Sequence, residues 1–216
     1  MRLARLLTLA VLTAVLVLAG QTTRAADDDK DFVKLFNGKD FTGLKFEIGK
    51  SDPTKTWSVA EGIIVCTGKP NGYFYTEKSY KNYHLKCDVR YAKPKDLTDD
   101  SKFGGNSGVL VHITGDHKVW PKCVEAQGMN KDMANLFAIG GAKGSFKKDA
   151  EAQKKAIKPV GEWNLFEVIS KDGELTTKVN GAQVSTGKGE LTEGPIGWQS
   201  EGAEIHFKDI KIKELK

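Results

Sequence analysis

The sequence carries polar side chains on a strand-like segment where a purely structural strand would carry none. In Cys123–Gln127, Glu125 and Gln127 fall on one side of an alternating pattern, opposite two small apolar residues. Carboxylates and amides pair with sugar hydroxyls, and a partly enclosed carboxylate can also accept a proton. We therefore expect Glu125 to act as a general base and Gln127 to bind a hydroxyl group.

A second polar row lies in Asn106–His112. Alternation puts Asn106 and His112 on the same side of this segment, with Gly108 and Leu110 between them. An amide can orient a hydroxyl group, and an imidazole can donate a proton to a leaving oxygen. Asn106 is thus a candidate sugar ligand, and His112 is a candidate general acid.

A third group lies near the end of the chain, where Gly197–Glu201 offers an aromatic ring, an amide and a carboxylate. Aromatic rings cover the apolar face of a pyranose, so Trp198 and the upstream Trp120 are candidate sugar platforms. Gln199 is a further candidate ligand, and Glu201 is an alternative general acid. The competing interpretation is that these are ordinary solvated residues, because an antiparallel sheet has one wet face by default.

The elements that must position these residues show a period of two. The clearest strand is His84–Tyr91, in which apolar and polar residues alternate. Shorter strands are predicted at Thr56–Val59, Ile63–Thr67, Tyr73–Thr76, Val109–Ile113, Lys122–Gln127, Leu165–Ile169, Leu175–Val179 and Gln183–Ser185. Many short strands with little helix favour a β-sandwich of two antiparallel sheets.

Three local signals refine this prediction. Asn180 and Gly181 form a hairpin turn, because both residues tolerate positive φ. The last strand, Glu204–Leu215, changes the phase of its apolar residues, which indicates a β-bulge near Asp209. Phe146–Ile157 is the one segment that could form a short helix, although its apolar stripe is poor.

The first 25 residues have the features of a secretory signal peptide. Arg2 and Arg5 precede the apolar run Leu6–Ala19, and Ala25 ends a segment of small residues suited to cleavage. The apolar run is shorter than the roughly 20 residues of a spanning helix. We expect residues 26–216 to form one secreted domain without a membrane anchor, periplasmic or extracellular in location.

Charge and motifs exclude several functions. The chain has 33 Lys and Arg against 28 Asp and Glu, and removal of residues 1–25 leaves 30 basic against 28 acidic side chains. A nearly neutral domain has no electrostatic footprint for nucleic acid. No phosphate loop, dinucleotide fingerprint, zinc-protease motif or nucleophile elbow occurs, and nothing demands a cofactor or metal. We interpret Cys66 and Cys87 as small buried hydrophobes.

A series of motifs resembles the 3-keto-disaccharide hydrolase domain family, long described as a domain of unknown function. The motifs, in order, are Leu35–Asp40, Trp57–Gly62, Thr67–Gly68, Tyr80–Tyr83, Asn106–Val109, Glu125–Gln127, Gly161–Asn164, Val179–Gly181, Gly194–Gly202 and Ile205–Ile210. The resemblance implies a concanavalin A-like lectin/glucanase jelly roll with a carbohydrate site on its concave sheet. It also implies secretion and a role in glycan breakdown. The chain differs from the common family pattern at His112, where Arg is frequent, and at Ser200–Glu201, where His is frequent.

The activity implied by this resemblance is hydrolysis of 3-keto-glycosides, by elimination and then hydration. Glu125 would be the base, Glu201 or His112 the acid, and Asn106, Gln127 and Gln199 would orient hydroxyls. If the protein were an ordinary glycosidase, Glu125 and Glu201 would instead act as a catalytic pair about 5–10 Å apart. A non-catalytic, lectin-like carbohydrate-binding module is the main alternative, and a domain that binds a protein partner is the third.

Overall fold

The computed structural model describes residues 29–216, of which Asp31–Lys216 form one compact unit. The predicted signal peptide, residues 1–25, lies outside the described residues. From residue 29 onward, no helix combines the length and the apolar character needed to cross a membrane.

The described chain is built from strands and one short helix. In chain order these are β1 (Val33–Lys34), β2 (Leu44–Glu47), β3 (Trp57–Ala60), β4 (Ile63–Cys66), β5 (Gly72–Thr76), β6 (Tyr83–Tyr91), β7 (Gly108–Thr114), β8 (Lys122–Gln127), β9 (Leu136–Ile139), β10 (Gly144–Lys148), α1 (Ala150–Ala156), β11 (Asn164–Lys171), β12 (Glu174–Val179), β13 (Ala182–Gly189), β14 (Gly197–Ser200) and β15 (Ile205–Glu214).

The strands form two antiparallel sheets. The six-stranded sheet has the order β2-β5-β14-β7-β8-β9, and the nine-stranded sheet has the order β10-β13-β12-β11-β6-β15-β4-β3, with β1 beside β15. Strands that neighbour each other in a sheet are often distant in sequence, as β14 and β7 are. The predicted β-sandwich is confirmed.

Aromatic rings fill the space between the sheets. Phe74 of β5 stacks on Trp198 of β14, with ring centroids 5.0 Å apart. It also meets the edge of Phe207 on β15 in the opposite sheet, at 5.9 Å. Such pairs contribute beyond the apolar area that they bury. The core therefore holds β5 and β14 against the larger sheet.

Most local predictions are confirmed. Asn180 and Gly181 have φ of 50° and 87° in the β12–β13 turn, and β15 shifts its register at Asp209. Cys66 and Cys87 are buried and unpaired, as is Cys123. The predicted helix at Phe146–Ile157 is partly wrong, because its first residues belong to β10 and the helix begins only after Asp149. The Asp149 side chain caps the helix by accepting a hydrogen bond from Ala152 N.

The turn between β12 and β13 provides a test of the fold. Gly181→Val forces a β-branched residue to φ 87°, although an added Cβ would meet no atom within 4 Å. The penalty is therefore one of backbone strain, and we expect a loss of about 1–2 kcal/mol in urea unfolding. Gln183→Val, two residues along in β13, is the control with ordinary strand geometry. Equal stability of the two variants would contradict this interpretation.

Candidate functional site

The polar residues lie on the face of the six-stranded sheet that points away from the core. On β8, Val124 and Ala126 belong to the core, so alternation turns Glu125 and Gln127 to the opposite face. Hydrogen-bonded pairing aligns Gly108 of β7 with Gln127. The same face of two neighbouring strands thus carries a carboxyl, an amide and a position without a side chain.

The next strand, β14, adds a second amide to this face. Trp198 pairs with Val109, and this register places Gln199 beside Gly108. On the other side of β14, Gln199 pairs with Tyr73 of β5. Beyond the end of β14, an isolated bridge joins Glu201 to Asn106. The structure therefore brings together five predicted residues, Asn106, Glu125, Gln127, Gln199 and Glu201.

The side chains of Glu125 and Gln199 lie directly over the backbone of Gly108. A Cβ at this position would overlap Gln199 Oε1 and come within 2.7 Å of Glu125 Oε1 and 3.0 Å of Glu125 Cγ. Only a residue without a side chain lets the carboxyl and the amide approach the backbone so closely. The glycine therefore determines the shape of the site.

Several polar atoms of this group are buried without a hydrogen-bond partner in the described chain. They are Glu125 Oε1, Gln199 Oε1, Gln199 Nε2 and Asn106 Oδ1. Leaving such atoms unpaired costs about 1–3 kcal/mol each, so most buried polar groups in proteins are paired. A ligand with many hydroxyl groups would satisfy both the donors and the acceptors.

Burial raises the pKa of Glu125 to about 7, and the charge of Glu201 adds to this shift. Burial also raises the pKa of Glu201, although a hydrogen bond from the Asn106 side chain opposes the effect. The charge of Glu201 therefore bears on the ionisation of Glu125. Near neutral pH the Glu125 carboxyl can therefore both accept and donate a proton.

Gln127 is held at the end of β8 by its local backbone. Its Oε1 accepts a hydrogen bond of 2.8 Å from Met129 N, and its own N–H donates to the Asn135 carbonyl at 2.8 Å. The amide is therefore fixed in orientation at the border of the site.

The prediction that His112 shares the face of Glu125 is wrong. The register of β7 shifts after Val111, and His112 takes φ 56°, which turns its side chain toward the other sheet. There the fully buried ring bonds through Nδ1 to the Leu191 carbonyl at 3.0 Å, and its Nε2 lies 3.2 Å from Ser170 Oγ. Burial lowers the pKa of His112 to about 4, so it is neutral at physiological pH.

The prediction that Trp198 is a sugar platform is also wrong, because its ring is fully buried in the core against Phe74. Trp120 is 45% exposed on the loop that joins β7 to β8. The structure thus leaves Trp120 accessible but does not bring it into the group around Gly108.

Sequence reasoning missed three features of this face. Gly108 is the first, and Phe137 of β9 is the second, being paired directly with Glu125. The third is Tyr73, whose OH lies 2.9 Å from His117 Nδ1. A glycine between polar positions was a signal for the first feature, but nothing in the sequence aligned β9 or the His117 loop with the site.

The site does not resemble a metal centre. Within residues 29–216, no three His, Cys, Asp or Glu side chains are grouped so that they could hold a metal ion. The chemistry available to the grouped residues is proton transfer by two carboxyls and hydrogen bonding by three amides.

Gly108→Ala tests the role of Gly108 in the site. The added methyl must displace the ends of the Glu125 and Gln199 side chains, which are flexible, so the fold should survive. We expect sugar affinity, measured by calorimetry, to fall at least ~10-fold, since each displaced hydrogen bond contributes about 0.5–1.5 kcal/mol. Gly104→Ala is the control, because nothing lies within 4 Å of its added Cβ. Unchanged affinity in Gly108→Ala would contradict the assignment.

Glu125→Gln tests the raised pKa through stability. The carboxyl titrates near 4.5 when unperturbed and near 7 in the folded chain. Between these two pH values the folded chain keeps a proton on Glu125 that the unfolded chain has lost. The contribution of this group to stability is therefore fully present below pH 4.5 and is lost as pH rises through 7. The stability of wild type relative to the variant should fall by on the order of 3 kcal/mol between pH 4.5 and 8, measured by urea unfolding.

Glu190→Gln is the matched control for this titration. Lys122 lies 2.8 Å from the Glu190 carboxylate and lowers its pKa. The ion pair stabilises the fold at pH values above the pKa that Glu190 has in the unfolded chain, and this stabilisation is lost as pH falls. The stability of wild type relative to Glu190→Gln should therefore rise with pH, opposite to the trend for Glu125→Gln. A flat difference between wild type and Glu125→Gln would show that Glu125 is not desolvated.

One protein family and one bacterial protein are similar to this chain. Residues 31–213 match the model of the 3-keto-alpha-glucoside-1,2-lyase-like domain. A 3-keto-disaccharide hydrolase of Bacteroides thetaiotaomicron is 21% identical to this chain over an alignment of 243 positions. The alignment covers 87% of this chain and 80% of that protein.

Two solved structures are also similar to this chain. A candidate glycosyl hydrolase from Parabacteroides distasonis is 25% identical, with a TM-score of 0.65 over 88% of this chain and 96% of its own. A β-glucanase from Bacillus licheniformis is 13% identical, with a TM-score of 0.52 over 85% and 97% of the two chains. The second likeness is one of fold, and it confirms the predicted concanavalin A-like jelly roll. Because the family match spans nearly all described residues, this chain belongs to the 3-keto-alpha-glucoside-1,2-lyase-like domain family.

Proposed function

We propose that this protein is a carbohydrate-active hydrolase that cleaves 3-keto-glycosides by elimination followed by hydration. Membership of the lyase-like family and the names of the two bacterial relatives support the general class. The observation that carries the specific proposal is the buried Glu125 carboxyl, whose unpaired oxygen lies beside the unpaired amide of Gln199 over Gly108.

The substrate chemistry suits such a site. A ketone at C3 of a sugar acidifies the hydrogen on C2, so a general base can remove that proton. The electron pair of the C2–H bond then forms the C1=C2 double bond, and the C1–O bond breaks with its electrons moving to the leaving oxygen. Water adds next, with its oxygen bonding to C1 and a proton returning to C2. The net result is hydrolysis of the glycosidic bond.

Glu125 is the proposed base. A carboxylate with its pKa near 7 is a stronger base than an ordinary glutamate and is still substantially ionised at neutral pH. The removed proton then resides on the Glu125 carboxyl, which becomes an acid beside the reacting sugar. General base catalysis of this kind contributes about 10²–10⁴-fold in rate.

The proton for the leaving oxygen has two candidate donors. Glu201 retains its proton more readily than an ordinary glutamate, because burial raises its pKa. Protonated Glu125 is the other donor, since it has just taken a proton from the same face of the sugar. His112 is removed from this role by its position between the sheets. Glu201→Gln distinguishes the two donors, because its turnover should fall only if Glu201 supplies the proton.

The amides are proposed to hold the sugar. Gln199 can both donate to the C3 oxygen, where negative charge develops, and accept from a hydroxyl. Gln127 and Asn106 lie at the border of the site, where they can orient further hydroxyls. Secretion, inferred from residues 1–25, would place this activity outside the cytoplasm.

Glu125→Gln tests the proposed base. The amide preserves the shape of the side chain but cannot accept the C2 proton, so turnover of a 3-keto disaccharide should fall at least ~10²-fold. Product release is followed by chromatography, and binding of the unoxidised disaccharide is measured in parallel by calorimetry. Wild-type turnover should also rise with pH through about 7, because the base must be ionised.

A control variant and three alternative outcomes determine how this result is interpreted. Glu190→Gln removes a carboxylate that is paired with Lys122 and is not part of the group around Gly108, so turnover should be unchanged. Equal turnover by wild type and Glu125→Gln would reject Glu125 as the base. Wild type that binds sugar yet releases no product from any 3-keto-glycoside would establish a lectin-like binding module, and cleavage of the unoxidised disaccharide would indicate an ordinary glycosidase.

A further inference from the structure

Phe137 is an apolar surface placed directly beside the candidate base. Its strand, β9, pairs with β8 so that Phe137 lies opposite Glu125. Leu136 is buried in the core, so alternation turns Phe137 to the face of the site, where it is 43% exposed. Opposed residues in an antiparallel pair have Cβ atoms about 4.5–5.5 Å apart. A ring that covered Phe137 would therefore lie next to the Glu125 carboxyl.

The other end of the same face is closed. Tyr73, the neighbour of Gln199 on β5, is fully buried although it does not point into the core between the sheets. His117, in the loop between β7 and β8, forms a hydrogen bond of 2.9 Å with the Tyr73 hydroxyl. Its ring also stacks on Tyr75, with ring centroids 4.2 Å apart. This loop lies against the face and forms an end wall beside Gln199.

The part of the face between the His117 loop and β9 has a defined width. The strand of Gln199, β14, and the strand of Phe137, β9, are separated by three inter-strand steps, or roughly 14 Å at about 4.8 Å per step. That span is comparable with the length of a disaccharide. It begins at the His117 wall and ends at β9, the edge strand of the six-stranded sheet.

We propose that Phe137 is the platform for the leaving-group sugar and that the His117 loop is the end wall for the oxidised ring. The oxidised ring would lie between the wall and Glu125, with its hydroxyls on the unpaired amide of Gln199. The second ring would place its apolar face on Phe137, since aromatic rings cover such faces in sugar sites. This inference rests on the proposed function. It adds the orientation of the bound substrate, whose leaving-group sugar lies toward β9.

Phe137→Ala tests the platform with two substrates that differ only in the leaving group. For a 3-keto disaccharide, kcat/KM should fall about 3–10-fold, mainly through KM, because the second ring loses the apolar surface on which it lies. For the methyl 3-keto-glycoside, which has no second ring, kcat/KM should change less than about 2-fold. Phe137→Tyr should restore the disaccharide value, and Val33→Ala, an exposed apolar residue of the nine-stranded sheet, should affect neither substrate.

The same variants are measured for binding, which separates this inference from the proposed reaction. If wild type turns over neither substrate, the proposed reaction fails, while weaker binding of an unoxidised disaccharide but not of a methyl glycoside by Phe137→Ala would still support the platform. Equal losses for both sugars, no loss for either, or no binding of either by wild type would overturn it.

Discussion

The close approach of two side chains over Gly108 is the constraint on which the site depends. Because position 108 has no Cβ, the Glu125 carboxyl and the Gln199 amide can lie against the backbone of β7. That position removes the carboxyl from water, and loss of hydration is the main reason why its pKa rises to about 7. A larger residue at 108 would lift both groups toward solvent and weaken the shift. The acid–base character of the site is thus set by a residue that takes no part in chemistry.

The core on the other side of the sheet makes this arrangement rigid. Trp198, which precedes Gln199, stacks on Phe74, and Phe74 contacts Phe207 of the larger sheet. Close-packed interiors tolerate little movement, so the strand that carries Gln199 is held in one position. Trp198 therefore contributes to the site through packing and not through contact with a sugar. Its fully buried ring explains why an aromatic residue next to a binding amide need not be a platform.

Period-two alternation predicted most of the strands, and turn chemistry predicted the hairpin at Asn180, because both are local properties. The errors arose where long-range pairing decides the face of a side chain. A register shift between β7 and β8 turned His112 inward, and this shift is visible only when the partner strand is known. Phe137 was missed because β9 is a short, continuously apolar segment without alternation. The grouping of Glu125 with Gln199 likewise required the pairing of β7 with β14, which are distant in sequence.

The two carboxyls restrict the charge that the site can hold. Burial raises the pKa of both carboxyls, and the charge of Glu201 adds to the shift at Glu125, so the site disfavours negative charge. Such a site disfavours an anionic ligand and suits a neutral sugar. In the proposed elimination, the proton would move from carbon to Glu125 while charge develops on the C3 oxygen. The net charge stays constant through this step, and the neutral amide of Gln199 can stabilise the new position of the charge without adding a cation.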